Sequence, residues 1–409
     1  MSVQNQTAFP QTLQMGQVFP IEDTAQAFAW FKTMRETQPV YHDERTGLWH
    51  VFQYADVQRV LTDYAQFSSE AIPGLSDAGL LSDTLISRDP PEHHKLRSLV
   101  NVAFTPRVLE QFTTRITQFV QEALDLAIRR GQMDAVTDLA FPVSAKAIAA
   151  LLGVPDADWA IFRKWVVGHD NTAGPQTRDQ ALVGQQLLGK EMYPYFTDLL
   201  TARREAPRGD VLSTLSMAEV DGTRLSDSEL VKFCILLLTA GQETTKNLIA
   251  NGIYFLTEYP ELQAELRAQP DLIPAAIEEM LRYLPPVWFT FRRTTTDVEL
   301  SGQRIPANAV VHAWNLSANH DPAVFPDPER LDIHRPTNRH LAFGHGIHLC
   351  LGAPLARLEA RVLFPMVLDQ LHGLRRVPDV PVLVRAGLSK VLLSLPITFQ
   401  PRPEPQGRC

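Results

Sequence analysis

Residues 226–259 leave the chain few choices of architecture. The run opens with SDSE, Ser226 to Glu229, a capping box in which the serine and the glutamate three residues on satisfy each other's backbone donors. No breaker follows until Pro260. A helix of that span is about 48 Å long at 1.5 Å per residue, enough to cross a whole domain. From Cys234 to Leu238 it is continuously apolar and so is buried there. Its middle then breaks local rules: AGQETT, Ala240 to Thr245, puts a glycine and two threonines in a helix interior, Gly alone costing about 1 kcal/mol relative to Ala. A Thr hydroxyl can bond back to the carbonyl four residues earlier and bend the helix, and Gly241 lets a flat ligand approach the backbone. Glu243 is an acid on an otherwise apolar helix; taken alone, a kink with a solvent-facing Glu is the plainer account.

A second stretch, HLAFGHGIHLCLGAPLARLEAR from His340 to Arg361, places Cys350 at the mouth of a helix. Pro354 suits a first turn, and Leu355, Leu358, Leu363 and Met366 continue at helical spacing. Free N–H groups and partial positive charge at a helix start favour thiolate over thiol, so Cys350 is expected to be an anion. Gly344, Gly346 and Gly352 allow φ > 0 or a close approach of another body. A structural loop cysteine remains an alternative. So does a metal site, since His345, His348 and Cys350 are three potential ligands within six residues, but a closed zinc site needs a fourth, and the other cysteines are Cys234 and Cys409. One thiolate alone suits a cofactor that brings its own remaining ligands, as haem does.

The remaining pattern is ordinary. With 45% hydrophobic and 21% charged residues, no repeat and no linker, the 409 residues read as one domain, with residues 1–25 and 401–409 as loosely ordered tails. A net charge of −8 without a basic stripe argues against nucleic acid. Three cysteines indicate a reducing compartment, and neither a signal peptide nor an 18-residue apolar run is evident, so a soluble cytoplasmic protein, not a membrane one, is expected. Residues 40–51 read as two strands around a turn at Glu44 to Gly47, with a helix from near Tyr54. Helical periodicity follows over 106–131, 143–152, 156–168 and 178–204. Short strands are expected at 298–300, 309–313, 382–384 and 392–399. The fold class is mainly α with a small β portion drawn from both ends.

Two further pairs are unremarkable alone. Glu279 and Arg282 in AAIEEMLRY are a helical i, i+3 ion pair. His93 and Arg97 in DPPEHHKLR are two donors on one helical face, able to clamp a carboxylate but more simply a solvated basic face. Together the pieces carry more. Phe343, Gly346, His348, Cys350 and Gly352 match the haem-binding loop of the cytochrome P-450 family. Ala240, Gly241, Glu243, Thr244 and Thr245 match its oxygen-activating helix, Glu279 and Arg282 its E-x-x-R, and FPDPERLDIHR, 325–335, the segment whose arginine, here Arg330, joins that pair. In order and separation from about residue 30 to 400 the chain resembles the soluble bacterial haem-thiolate monooxygenases of that family.

The resemblance implies a single-domain cytochrome P-450 fold with haem b between the long helix and the cysteine loop. Cys350 would be the axial thiolate, pushing electron density toward O–O cleavage. His93, Arg97, Arg292 and His348 would neutralise the haem propionates, Arg292 being preferred over the adjacent Arg293. Glu243 and Thr244 would deliver protons to dioxygen, with Ala240 and Gly241 leaving room for it. Glu279, Arg282 and Arg330 would form a buried structural network. The substrate pocket would be lined by Ile72, Leu75, Leu80 and Leu85, then Leu236 and Leu237, then Val287, Trp288, Phe289 and Thr290, and finally Leu388. That set is almost wholly apolar and suggests a hydrophobic organic substrate. Leu331 and Leu349 stand where the family often has an aromatic, and Glu243 where Asp is also common. The expected activity is insertion of one oxygen atom of O2 by hydroxylation or epoxidation. Electrons would come indirectly from NAD(P)H, through a separate ferredoxin or flavodoxin and its reductase, to a monomeric enzyme. A peroxide-driven peroxygenase and a non-catalytic haem-thiolate ligand sensor are the alternatives. Lys95, Arg107, Arg335, Arg339, His340, Arg357 and Arg361 are expected to form a positive docking patch for an acidic ferredoxin.

Overall fold

The long run is one helix, Asp227–Glu258. The Ser226 side chain accepts from the Glu229 N–H, and the Glu229 carboxylate accepts the Ser226 N–H at 2.8 Å, so both halves of the capping box are made. The computed structural model describes residues 10, 13–14, 16–70, 72, 82–172, 178–387 and 390–402, with side chains described outside 168–185.

Three helices close on this axis. Phe141–Leu152, continuing a π-helical turn at Ala135–Ala140, packs along it, and the Gln242 side chain donates to Ser144 Oγ at 3.4 Å. A side chain at Gly241 would meet Ile148 Cδ1 at 3.1 Å, so the neighbouring helix also presses on this position. Residues 135–152 are an 18-residue stretch of mean hydropathy 1.5, contrary to the expectation that no apolar run reaches that length; 72% of it is buried inside the fold, which makes it a core helix. Further along the axis, Ile273–Tyr283 and Ala353–Gln370 converge at Gly252. A Cβ on Gly252 would lie 2.2 Å from Phe364 Cζ and 3.2 Å from Met280 Sδ, so only glycine admits this contact.

The β portion flanks one end. Its largest sheet runs in the order Val40–Asp43, Leu48–Val51, Val310–Ala313, Thr290–Thr294, Phe67–Ser68, with a parallel pairing only between the second and third strands. Here Arg292 pairs with Val311 and Phe291 with His312, and alternation sends Arg292 and Phe291 to opposite faces. Both chain ends contribute strands, as expected. The N-terminal tail, however, is tied down before residue 25: Val18–Pro20 pairs antiparallel with Leu383–Arg385, and Leu13, Phe19 and Ile21 are buried in the core. Two boundaries shift at turns and prolines. The 156–168 helix is Trp159–Thr172 after a 3-10 turn at Asp156–Asp158, and the 392–399 strand divides into Val391–Leu392 and Pro396–Pro401.

Behind the cysteine loop, Glu279 and Arg282 are both fully buried and joined by two hydrogen bonds of 2.8 Å. The Glu279 carboxylate also accepts from Arg335 Nε at 3.0 Å, Asn338 Nδ2 at 3.0 Å and the Asp332 N–H at 2.9 Å. The two guanidinium groups then collect backbone carbonyls: Arg282 donates to Asn319, Pro328 and Arg330, and Arg335 to Pro326, Asp327 and Arg330. The arginine that joins the pair with its side chain is therefore Arg335. Arg330, expected in that place, is exposed and supplies only its carbonyl.

Removing one partner of a buried ion network leaves the other charge uncompensated, at a cost of about 3 kcal/mol. Arg335→Ala should accordingly lower the thermal or urea midpoint of the protein by that order, while Arg330→Ala should stay within about 0.5 kcal/mol of the parent. Equal losses in the two variants would contradict the assignment.

Candidate active site

The cysteine loop is shaped by two left-handed glycines, Gly344 and Gly346, each at φ +72°. A side chain on Gly346 would also press on the Leu61 carbonyl at 3.0 Å and Thr62 Cα at 3.2 Å, where the loop rests on the end of helix Tyr54–Thr62. After a 3-10 turn at Gly346–His348 the Cys350 N–H donates to the Phe343 carbonyl at 2.9 Å, and helix Ala353–Gln370 begins with Gly352 as its cap. A Cβ on Gly352 would stand 3.9 Å from Cys350 Sγ, so glycine keeps the flank of the sulfur bare.

The helix mouth acts on the sulfur, but it does not win. Burial pushes the Cys350 thiol above its ordinary range, against the lowering effect of the Gly352 and Ala353 N–H groups and of Arg97 and Arg357. The expected anion therefore depends on a cation at the sulfur, which an iron ligated by Cys350 would provide. Protein surrounds the residue on most sides, yet Cys350 retains accessible surface. Among the described residues no group of three or more His, Cys, Asp or Glu is placed to hold a metal, which removes an all-protein site at His345, His348 and Cys350.

Accessible surface also interrupts the long helix. Ala240 is exposed and Gly241 and Thr244 are half-buried between stretches that are otherwise buried, so this face borders open space inside the fold. Thr244 Oγ1 donates to the Ala240 carbonyl at 2.8 Å, the back-bond its position predicts. Glu243 is buried at 8% exposure and does not face solvent.

Four basic side chains gather nearby. The His93 and His348 rings lie 4.3 Å apart, and His348 Nε2 is 3.1 Å from Ser69 Oγ, a residue that no sequence pattern singled out. Neither ring nitrogen of the buried His93 has a hydrogen-bond partner. Burial, then Arg97, lowers His93 to about 4; burial, then Arg292 and the other two, lowers His348 to about 2. Burial likewise lowers Arg292 to about 10. The arginines lower both histidines, and Asp89, which partly offsets this at His93 and Arg292, is itself held by Ser68 Oγ at 2.5 Å and the Ser69 N–H at 3.0 Å. Such a cluster is an anion receptor, and it suits the two carboxylates of haem. His348 stands two residues before Cys350 in the same loop and its ring lies 4.3 Å from that of His93, so thiol and receptor belong to one site. Arg293 points elsewhere, donating to the Glu70 carbonyl at 3.3 Å and Asn308 Oδ1 at 2.6 Å.

Of the expected pocket residues, Leu75, Leu80 and Leu388 lie outside the described residues. Ile72, Leu85, Leu236, Leu237 and Trp288 are buried, and Val287 and Thr290 half-buried. Phe289 is a correction. Strand alternation turns it to the face of Phe291, where it stacks on His312 at 4.8 Å and contacts Trp314 at 4.6 Å, within the aromatic core. The basic patch is also smaller than expected. Arg335 is held by Glu279, and His340 and Arg357 both bond to Glu278; Lys95, Arg107, Arg339 and Arg361 remain exposed.

Comparison with known proteins agrees with this geometry. A model of the cytochrome P-450 family matches residues 198–372. The chain is 41% identical over 338 residues to the erythromycin C-12 hydroxylase of Saccharopolyspora erythraea, covering 81% of this chain and 84% of that protein. It is 39% identical over 360 residues to the cyclomarin C epoxidase CymV of Salinispora arenicola, covering 86% and 90%. Among solved structures, ligand-free cytochrome P-450 TbtJ1 superposes with a TM-score of 0.87 at 39% identity, covering 93% of this chain and 98% of that one. A long helix opened at Ala240 to Thr244, a cysteine at a helix mouth and relatives alike over nearly their whole length make this chain a member of the cytochrome P-450 family.

Proposed function

We propose that this monooxygenase inserts one oxygen atom of dioxygen into a hydrophobic organic substrate, by hydroxylation or epoxidation, in the cytoplasm and as a monomer. Electrons pass from NAD(P)H through a separate ferredoxin or flavodoxin and its reductase. The observation that carries the reading is the basic cluster beside the cysteine loop: the His93 and His348 rings lie 4.3 Å apart, neither His93 nitrogen has a partner, and His348 stands two residues before Cys350, which supports one site built for a group bearing both a metal and carboxylates.

Bound haem b supplies dioxygen binding and the oxidising chemistry. Cys350 would supply the sulfur ligand to the iron, with Gly352 beside it. The Phe343 carbonyl fixes the Cys350 N–H. His93, Arg97, Arg292 and His348 would hold the propionates, which would give the unpartnered His93 ring a partner and offset the cost of placing the arginines beside the histidines. Ala240 and Gly241 keep the helix surface low. Thr244 holds a proton on Oγ1, bonded to the Ala240 carbonyl, and Glu243, one residue away and buried, is the acid beside it for proton delivery. Ile72, Leu85, Leu236 and Leu237 exclude water and select apolar substrates.

Cys350→Ser and Cys350→His should each abolish the thiolate-type carbon monoxide spectrum, and its persistence would place the ligand elsewhere. Thr244→Ala should still bind haem, while product formation falls by about 10²-fold and NAD(P)H electrons appear as peroxide. Unchanged product per NAD(P)H would remove the proton role, and turnover with peroxide but never with a redox partner would favour a peroxygenase. For partner docking, charge reversal of the exposed Arg107, Arg339 and Arg361 together should slow the first reduction by an acidic ferredoxin at low salt and flatten its ionic-strength dependence; an unchanged rate there eliminates the site.

A further inference from the structure

Two adjacent glutamates on helix Ile273–Tyr283 serve different charges. Glu279 belongs to Arg282 and Arg335, as above. Glu278 turns instead to the helix that follows the cysteine. Arg357 Nε donates to Glu278 Oε1 and Arg357 Nη2 to Oε2, each at 2.7 Å, a bidentate pair. Burial pushes the Glu278 carboxyl up, but the bonds from Arg357 and His340 outweigh it and hold it at about 2.

The state of His340 follows from its bonds. The Ala342 N–H donates to Nδ1 at 3.2 Å, so that nitrogen carries no proton. Nε2 then bears the proton and donates it to Glu278 Oε2 at 3.0 Å. The bidentate Glu278–Arg357 pair holds one negative and one positive charge. The positive one is aimed: the Arg357 guanidinium lies over the Phe343 ring, 4.5 Å from its centroid, and the Phe343 carbonyl accepts the Cys350 N–H at 2.9 Å. Arg357 and Cys350 also interact electrostatically, each shifting the other. A lone guanidinium in this place would draw negative charge toward the sulfur; a carboxylate bonded to it cancels most of that field.

We propose that Glu278 and Arg357 are a matched pair of positioning residues that sets the electron demand at the Cys350 sulfur, Arg357 through the Phe343 ring and Glu278 by cancelling the arginine's charge. The inference rests on the haem-thiolate reading above. It concerns one step, the transfer of one electron from a reductant such as dithionite to ferric haem, giving ferrous haem with no other bond made or broken.

Mediated potentiometric titration of the purified haem protein tests it with four proteins: parent, Glu278→Gln, Arg357→Gln and the double variant. Glu278→Gln is nearly isosteric and leaves Arg357 uncompensated, so its reduction potential shifts up. Arg357→Gln leaves Glu278 uncompensated and shifts it down. The double variant returns close to the parent, and Arg357→Lys, which keeps the charge, also stays close to it. A bracket with only a structural role would give single variants that shift the same way or not at all, and either result overturns the proposal. So would unchanged potentials with slower reduction by ferredoxin, which would make Arg357 a docking residue. If Arg357→Gln fails to retain haem, the upward shift of Glu278→Gln decides alone. A parent without the thiolate carbon monoxide band would bring down the haem-thiolate reading and this proposal together, whereas a parent with the band and same-direction shifts sinks only the proposal.

Discussion

Desolvation holds a sulfur inside a protein as a thiol, and the proximal half of this fold is organised around reversing that. Burial raises the Cys350 thiol even though two backbone N–H groups and two arginines lower it. The protein therefore brings the sulfur close to the balance point and leaves the final charge to the metal it would ligate. This explains why the loop is rigid. Gly344 and Gly346 fold it back, the Phe343 carbonyl fixes the cysteine backbone, and Leu61 and Thr62 support it from below. A loop free to relax would turn the sulfur toward water and lose the position that makes it a ligand.

The same electrostatic logic governs the receptor for carboxylates. Burying two arginines and two histidines together is unfavourable in isolation, and the lowered values of His93, His348 and Arg292 express that cost. Asp89, itself held by Ser68 and Ser69, offsets only part of that cost at His93 and Arg292. The site is left complementary to a dianion and repels cations, which is how an apolar interior can be specific for a group with two carboxylates at its edge.

The sequence made the long helix legible because its signals are local: a capping box, an apolar run and a terminal proline. Cys350 was legible as a helix-mouth residue for the same reason. Its charge state was not, since burial is a property of the whole fold. Register decided the rest. Arg292 and Arg293 are indistinguishable in the string, and only the pairing of Arg292 with Val311 shows which one faces inward. Phe289 was placed in the pocket by resemblance to the family, but it lies an odd number of residues from Arg292 and so turns to the other face. Arg330 and Arg335 share an irregular segment in which no period operates, so spacing could not say which reaches Glu279.

Glu278 and Glu279 point in different directions because neighbours on a helix are about 100° apart, and that angle divides one short helix between two tasks. Glu279 ties it to the segment that leads to the cysteine loop, and Glu278 ties it to the helix that leads away from it. The loop is thereby held at both ends by one element. That element and the cysteine's own helix meet the long helix at Gly252, where Met280 and Phe364 occupy the space a side chain would take. Thr244 stands eight residues, or about 12 Å, along the same rigid axis. The separation between the sulfur and the proton-bearing face is therefore set by helix packing at a glycine, not by either reactive loop, and a change there alters the chemistry without touching a reactive group.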